Sequence, residues 1–233
     1  MKVAVIPARG GSRRIPRKNI RAFAGRPIIA HSIAAARASG VFNRILVSTD
    51  DEEIAAIARE AGAETPFVRP AELADAHTGT NAVVRHAIQW LLADGAVVEY
   101  ACCIYATAPL LQPRYLRLGL ERLVASGRSF AFSVTSFPAP VQRALRVNAD
   151  GGIEPLWPEH AARRSQDLEP AFHDAAQFYW GRAQAFVDQV ALFSPASIGI
   201  VLPRHLVQDI DTEEDWLRAE LMFRALEARS PAA

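Results

Sequence analysis

The sequence is short of cysteine, has no long apolar run, and carries no acidic residue before Asp50. Its two cysteines, Cys102 and Cys103, are adjacent. On a strand they face opposite sides, and a lone pair lacks the spacing of a zinc site. A chain of 233 residues can hold a core without disulfide or metal. Disulfide scaffolds are thus excluded, and a reducing, cytoplasmic setting is the expectation. No uncharged apolar stretch approaches the ~18 residues of a membrane span, and the apolar start at 3–8 is too short for a secretory signal. No internal repeat or low-complexity segment is present, and 50% hydrophobic with 22% charged residues is a globular balance, not a disordered one.

What the first 49 residues do have is ten basic side chains, which leaves 16 basic and 25 acidic residues for the remainder. Half of those ten fall between Arg9 and Lys18. So dense a cluster in an otherwise acidic chain is a local anion site rather than a basic surface.

Hydrophobic periodicity gives alternating strands and helices. Strands are expected at 3–6, 45–47, 65–68, 100–104 and 130–135. Helices are expected from Pro27 to about Ala38, over 51–61, from Thr80 or Asn81 onward, and around Leu116–Val124. This order predicts an α/β fold with a doubly wound, mainly parallel sheet. From Phe137 to about Phe172 the pattern breaks into a segment rich in proline and charge, read as an arm that leaves the sheet and meets a partner subunit. Short strands then return at 177–180, 197–202 and 207–210, and a helix over 213–228 closes the chain. The whole, 1–233, reads as one domain with an inserted arm at about 137–172.

In an open parallel sheet, ligands bind beyond the carboxyl ends of the strands. The first such loop contains Ala8, Arg9, Gly10, Gly11, Ser12, Arg13, Lys18 and Asn19. Its glycines let backbone N–H groups approach an anion, and its cations suit several phosphates. It is neither GxxxxGK[ST] nor GxGxxG, so the P-loop and dinucleotide fingerprints are excluded. A solvated basic loop is the bland alternative, and the position directly after the first strand favours phosphate. Asp209 and Asp211, at i and i+2, place two carboxylates on one side of an extended segment, which suits Mg²⁺ shared with phosphate oxygens. Helix capping is the competing reading, with Asp211 and Glu214 or Thr212 and Asp215 as the box. Asp50 and Asp51 read as caps of the helix that follows, and His77, His86, Phe178 and Trp180 as structural residues.

Together these segments resemble the CMP-N-acylneuraminate cytidylyltransferases, which activate nonulosonic acids with CTP. The matching stretches are IPARGGSRRIPRKNI (6–20), VSTDDEEIAAIA (47–58), FVRPAEL (67–73) and DIDTEEDW (209–216). The chain is most similar to the pseudaminic acid branch, through HTGTNAVVRHA (77–87), IYATAP (104–109) and RSQDLEPAFHDAAQFYWG (164–181). The resemblance implies a Rossmann-like nucleotidyltransferase fold and a homodimer. It implies that Arg9, Ser12, Arg13 and Lys18 hold the CTP phosphates beside Asn19, that Arg69 and Thr80 line the nucleotide site, and that Asp209 and Asp211 bind Mg²⁺. Tyr105, with Thr107 nearby, stands where sialic acid enzymes have a glutamine, and Ala175 where they have an asparagine. Arg164, Gln166, Asp174, Gln177 and Tyr179 are the expected sugar pocket, with Arg164 facing the sugar carboxylate. Arg9, Lys18 and Asp211 would carry the chemistry, and no side chain must be a general base. A non-catalytic nucleotide or nucleic-acid-binding module is the competing class. It predicts basic residues spread along a face among aromatics, which this sequence lacks.

Overall fold

A computed structural model describes residues 1–12, 14–75 and 78–229. The chain order is β1 (Lys2–Pro7), β2 (Ala22–Phe23), β3 (Arg26–Pro27), α1 (Ile28–Ser39), β4 (Arg44–Ser48), α2 (Glu52–Glu60), α3 (Thr80–Ala93), β5 (Tyr100–Ile104), α4 (Pro113–Ser126), β6 (Phe130–Ser136), β7 (Leu145–Val147), β8 (Ile153–Pro155), β9 (Phe172–Arg182), α5 (Ala183–Val187), β10 (Ser197–Val201) and α6 (Glu213–Arg229). Six strands form the central sheet in the order β10-β6-β9-β5-β1-β4. β9 runs antiparallel between β5 and β6, and the other neighbours are parallel.

Strands buried on both faces read as continuous apolar runs, as Val3–Ile6 and Tyr100–Ile104 do. The two faces carry separate layers. Cys102 packs with Ile29, Ile33, Ile54 and Leu116 of α1, α2 and α4. Cys103 packs with Val84, Ile88 and Leu91 of α3 and Phe186 of α5. The adjacent cysteines therefore do face opposite sides, and both are buried free thiols. α4 lies close against β9 at Gly119, where a Cβ would come within 2.8 Å of the Phe178 and Trp180 rings. Trp180 and Phe178 are fully buried core, and the Trp180 indole donates to Leu116 O at 2.9 Å.

A third, smaller cluster joins distant parts of the chain. Ile15, Phe23 and Ile28 pack with Ile210, Trp216 and Ala219. This packing brings the basic loop after β1 against the segment entering α6.

The structure departs from expectation at four places. Residues 65–68 form no strand. Only isolated bridges join Leu46 to Glu64 and Thr49 to Val68, with Pro66 between them unable to donate. Residues 207–210 join no sheet and follow a 3₁₀ turn at Arg204–Leu206. β9 is far longer than 177–180, because Ala176 adopts a left-handed φ of 50° and a register shift opposite Phe132–Val134 lets pairing resume at Asp174. Finally, Gly79 caps α3 with no side-chain bond, and Thr80 is its first helical residue. Between β6 and β9 the chain makes short 3₁₀ turns and the antiparallel β7–β8 hairpin, in which Leu145, Val147 and Ile153 are exposed.

Candidate active site

A cleft of about 420 Å³ opens at the carboxyl ends of β1 and β5. Leaving β1, Ala8 is buried and donates to Ser48 O of β4 at 2.9 Å. The loop then turns under Asp50, whose carboxylate accepts from Gly10 N–H at 3.0 Å. A Cβ on Gly10 would lie 2.7 Å from the Asp51 carboxylate, so the close approach needs glycine. Gly11 is exposed, and Ser12 closes the turn by donating its hydroxyl to Ile15 O at 2.7 Å. Of the two acids expected to cap α2, only Asp51 does, through Ile54 N–H at 3.0 Å; Asp50 braces the loop instead, because its carboxylate is taken by Gly10 N–H. Arg17, in the left-handed region with φ 54°, reaches Asp51 at 2.5 Å and also pairs with Glu53.

These braces leave Arg9, Ser12, Lys18 and Asn19 lining the cleft beside Arg69, Thr80, Tyr105 and Thr107. Arg9 donates to Asp75 O at 2.9 Å across the mouth. Asn19 donates to Arg9 O at 2.9 Å and so steadies the loop. Arg69 is 5% exposed and spends its guanidinium on the Ser48 carbonyl and hydroxyl. Burial pushes it down to about 10, still cationic near neutral pH. The cleft thus presents fixed positive charge in a partly dehydrated wall. Arg13 and His77 lie outside the described residues.

Lys18 donates to Ile210 O at 2.6 Å and lies 3.3 Å from Asp211, which also pairs with Arg14 at 2.7 Å. Arg14 is a cleft residue that the motif reading left among the bulk basic residues. Its pairing with a residue almost two hundred positions away could not be read from spacing. Of the two capping readings, Thr212 with Asp215 forms the box. Asp215 N–H donates to the Thr212 hydroxyl at 3.2 Å, and Thr212 N–H donates back to the Asp215 carboxylate at 2.9 Å. The Asp211 carboxylate is therefore not a cap and faces the cations. Neither Asp209 nor Asp211 is among the residues lining the cleft itself. Asp209 keeps solvent contact, but surrounding chain strips much of its hydration, and Asp211 adds repulsion; both push its carboxyl up.

The expected sugar residues divide. Tyr105 and Tyr179 pack at 5.4 Å between ring centroids, and the Tyr179 hydroxyl donates to Asp174 at 2.6 Å. Gln177 is buried, with its amide donating to Leu206 O. Arg164 is exposed and paired with Asp167 at 2.7 Å, and Gln166 lines a separate hollow with Phe137–Val141. Within one chain, neither reaches the cleft. His86 packs edge-on to Phe67 away from the lining, in keeping with its structural reading.

A doubly wound sheet with cations and backbone N–H groups gathered beyond its strand ends defines a nucleotide-handling α/β protein. The Cytidylyltransferase family profile matches residues 3–189. The chain belongs to the cytidylyltransferase family. It is 43% identical to a pseudaminic acid cytidylyltransferase of Campylobacter jejuni, over 95% of this chain and 96% of that protein. It is 31% identical to a CMP-N,N'-diacetyllegionaminic acid synthase of Legionella pneumophila, over 95% of each. Its fold matches a CMP:2-keto-3-deoxy-manno-octonic acid synthetase solved with CTP, at TM-score 0.69 and 17% identity, covering 97% of this chain and 99% of that one.

Proposed function

We propose that the chain is a CTP-dependent transferase that activates pseudaminic acid, giving CMP-pseudaminic acid and pyrophosphate. The carrying observation is the cation-lined cleft beyond β1 and β5, in a chain 43% identical over nearly its full length to a pseudaminic acid cytidylyltransferase. The anomeric hydroxyl attacks the α-phosphorus of CTP, the new P–O bond forms there, and the bond to pyrophosphate breaks. Arg9, Ser12 and Lys18, with Arg13, hold the phosphates. Arg14 leaves Asp211 to join them. Arg69 and Thr80 fix the nucleotide wall. Their work is positioning and charge neutralisation, set up before the reaction begins.

Asp209 and Asp211 would hold Mg²⁺. The donor set fits: two hard carboxylates, with the Asp209 carboxylate taking no hydrogen bond among the described residues and destabilised by desolvation and then by its neighbour's charge. No group of three or more His, Cys, Asp or Glu side chains able to hold a metal occurs among the described residues, so the ion would need phosphate and water to complete its shell. When bound, Mg²⁺ would offset phosphate charge and acidify the attacking hydroxyl.

The sugar acid would lie against Tyr105 and the half-buried Asp174, with Gln177 and Tyr179 packed behind them as a supporting layer. Arg164 and Gln166 would come from a second subunit through the arm, in a homodimer. No helix among the described residues is long and apolar enough to cross a membrane, and the cytoplasm, where CTP is made, is the proposed location. The test follows pyrophosphate release from CTP and Mg²⁺ with a panel of nonulosonic acids. Greater kcat/KM for N-acetylneuraminic acid than for pseudaminic acid would overturn the assignment.

A further inference from the structure

Ser48 ends β4, is completely buried and lines no part of the cleft. Its polar atoms nevertheless hold two groups that serve the cleft. Its carbonyl accepts from Ala8 N–H at 2.9 Å, where the basic loop begins, and also from the Arg69 guanidinium. Its hydroxyl accepts from Arg69 Nε–H at 3.2 Å. One buried serine thus joins the start of the phosphate loop to an arginine of the cleft wall.

The Arg69 main chain is already fixed. Its N–H donates to Thr49 O at 2.8 Å, and nearby Phe67 packs against His86 and Trp90. The long side chain beyond is flexible, and main-chain bonds cannot set the direction of its far end. Ser48 does so by taking Nε–H and one Nη2–H. Of the five N–H groups of a guanidinium, three then remain, and none donates to another described residue. Arg69 also forms no ion pair among the described residues. Its charge and its end-on edge are left for a ligand in the cleft that it lines.

We propose that Ser48 is a positioning residue for the nucleotide, orienting the Arg69 guanidinium so that its end-on edge meets an acceptor on CTP without first having to be ordered. The proposal rests on the functional reading above. Preorganisation of this kind strengthens binding by removing an ordering cost. It acts on the bound nucleotide before and during reaction alike, so its loss belongs in KM rather than kcat.

Calorimetry of CTP binding to wild type, Ser48→Ala, Arg69→Lys and the double variant tests this. Alanine removes the hydroxyl alone, because the carbonyl keeps both of its bonds. Ser48→Ala should raise the CTP Kd by at least about threefold, and KM with it, with kcat little changed. Ser48→Cys, close in size but a weak acceptor, should do the same. Lysine has no Nε–H, so in the Arg69→Lys background Ser48→Ala should leave Kd nearly unchanged. Inorganic tripolyphosphate as a second probe locates the acceptor. Equal losses for both ligands assign the phosphate chain, and a loss for CTP alone assigns the nucleoside. A serine that only supported the fold would lower the melting temperature and leave Kd alone. That result, or the same loss of affinity in both backgrounds, overturns the proposal.

A readout free of ligand is hydrogen exchange at the arginine Nε–H groups, followed by ¹⁵N NMR. The Arg69 signal, identified by its loss in Arg69→Lys, should exchange slowly in wild type and roughly tenfold faster in Ser48→Ala. Equal exchange in the two proteins overturns the clasp, whether or not CTP binds. Wild type that binds no CTP while Arg69 Nε–H stays protected overturns only the functional reading.

Discussion

Lys18 and Arg9 reach the cleft from one loop but are restrained differently. Lys18 is anchored by Ile210 O and Asp211, whereas Arg9 bridges to the Asp75 carbonyl. Both restraints involve groups that phosphate oxygens could replace with stronger charge-assisted bonds. Lys18→Ala or Arg9→Ala should each lower CTP turnover by roughly tenfold to a thousandfold, the loss of one such contact worth about 1.5–4 kcal/mol. Turnover equal to wild type in the soluble double variant would remove the phosphate site. Arg17, by contrast, is structural. Its hydrogen bond to Asp51 holds that carboxyl below its ordinary value. The folded pKa is depressed, so the stability it contributes is present in full above the unfolded value of about 3.9 and is lost as pH falls through the lower folded value. Arg17→Ala should therefore melt at lower temperature than wild type near neutrality, with the gap closing in acid. Melting curves across that range check the sign, and a gap that widened in acid would contradict it.

At the scale of elements, the start of α6 separates two functions that the sequence leaves entangled. Thr212 and Asp215 cap the helix reciprocally, and Asp211 is left to face Lys18 and Arg14. Thr212→Ala should cost about 1 kcal/mol of stability while leaving Mg²⁺ dependence alone. Asp211→Asn should do the opposite, raising the Mg²⁺ requirement severalfold with little change in melting. Magnesium titrations and melts of both variants distinguish the cases, and a shared phenotype would mean that Asp211 supports the helix after all. Elements were readable where burial is continuous. Tyr100–Ile104 is apolar throughout and is a strand at those bounds. Residues 65–68 and 207–210 misled because extended, apolar backbone need not have a partner, and pairing is a property of neighbours. β9 was cut short because a left-handed alanine is against local preference and only the surrounding sheet holds it there. The loop cations were legible because they are contiguous. The Arg14–Asp211 pair and the Asp174–Tyr179 bond were not, because the first depends on the packing of Ile15 against Ile210 and Trp216 and the second on the left-handed turn at Ala176.

For the whole molecule, the unanswered surface is the β7–β8 hairpin. Val147 and Ile153 are cross-strand partners, and Leu145 lies two residues along the same strand, so all three share a face. They are 68%, 67% and 60% exposed. Such a ridge is out of place facing water and suits a second copy of the chain. The proposed homodimer also explains why Arg164 and Gln166 stand away from the cleft of their own subunit. The proposed nucleotide contacts, by comparison, all line a cleft formed within one chain. Replacing Val147 by Asp and Ile153 by Lys should therefore separate the subunits without unfolding them, since neither side chain belongs to the core. Light scattering should report a monomer, and calorimetry should find CTP binding within about twofold of wild type, because the cleft is built locally. Turnover of the sugar acid should fall by at least tenfold, the cost of losing a cation for its carboxylate. A dimer that survives both charges places the contact elsewhere, and a monomer with full turnover means that each subunit completes its own sugar pocket.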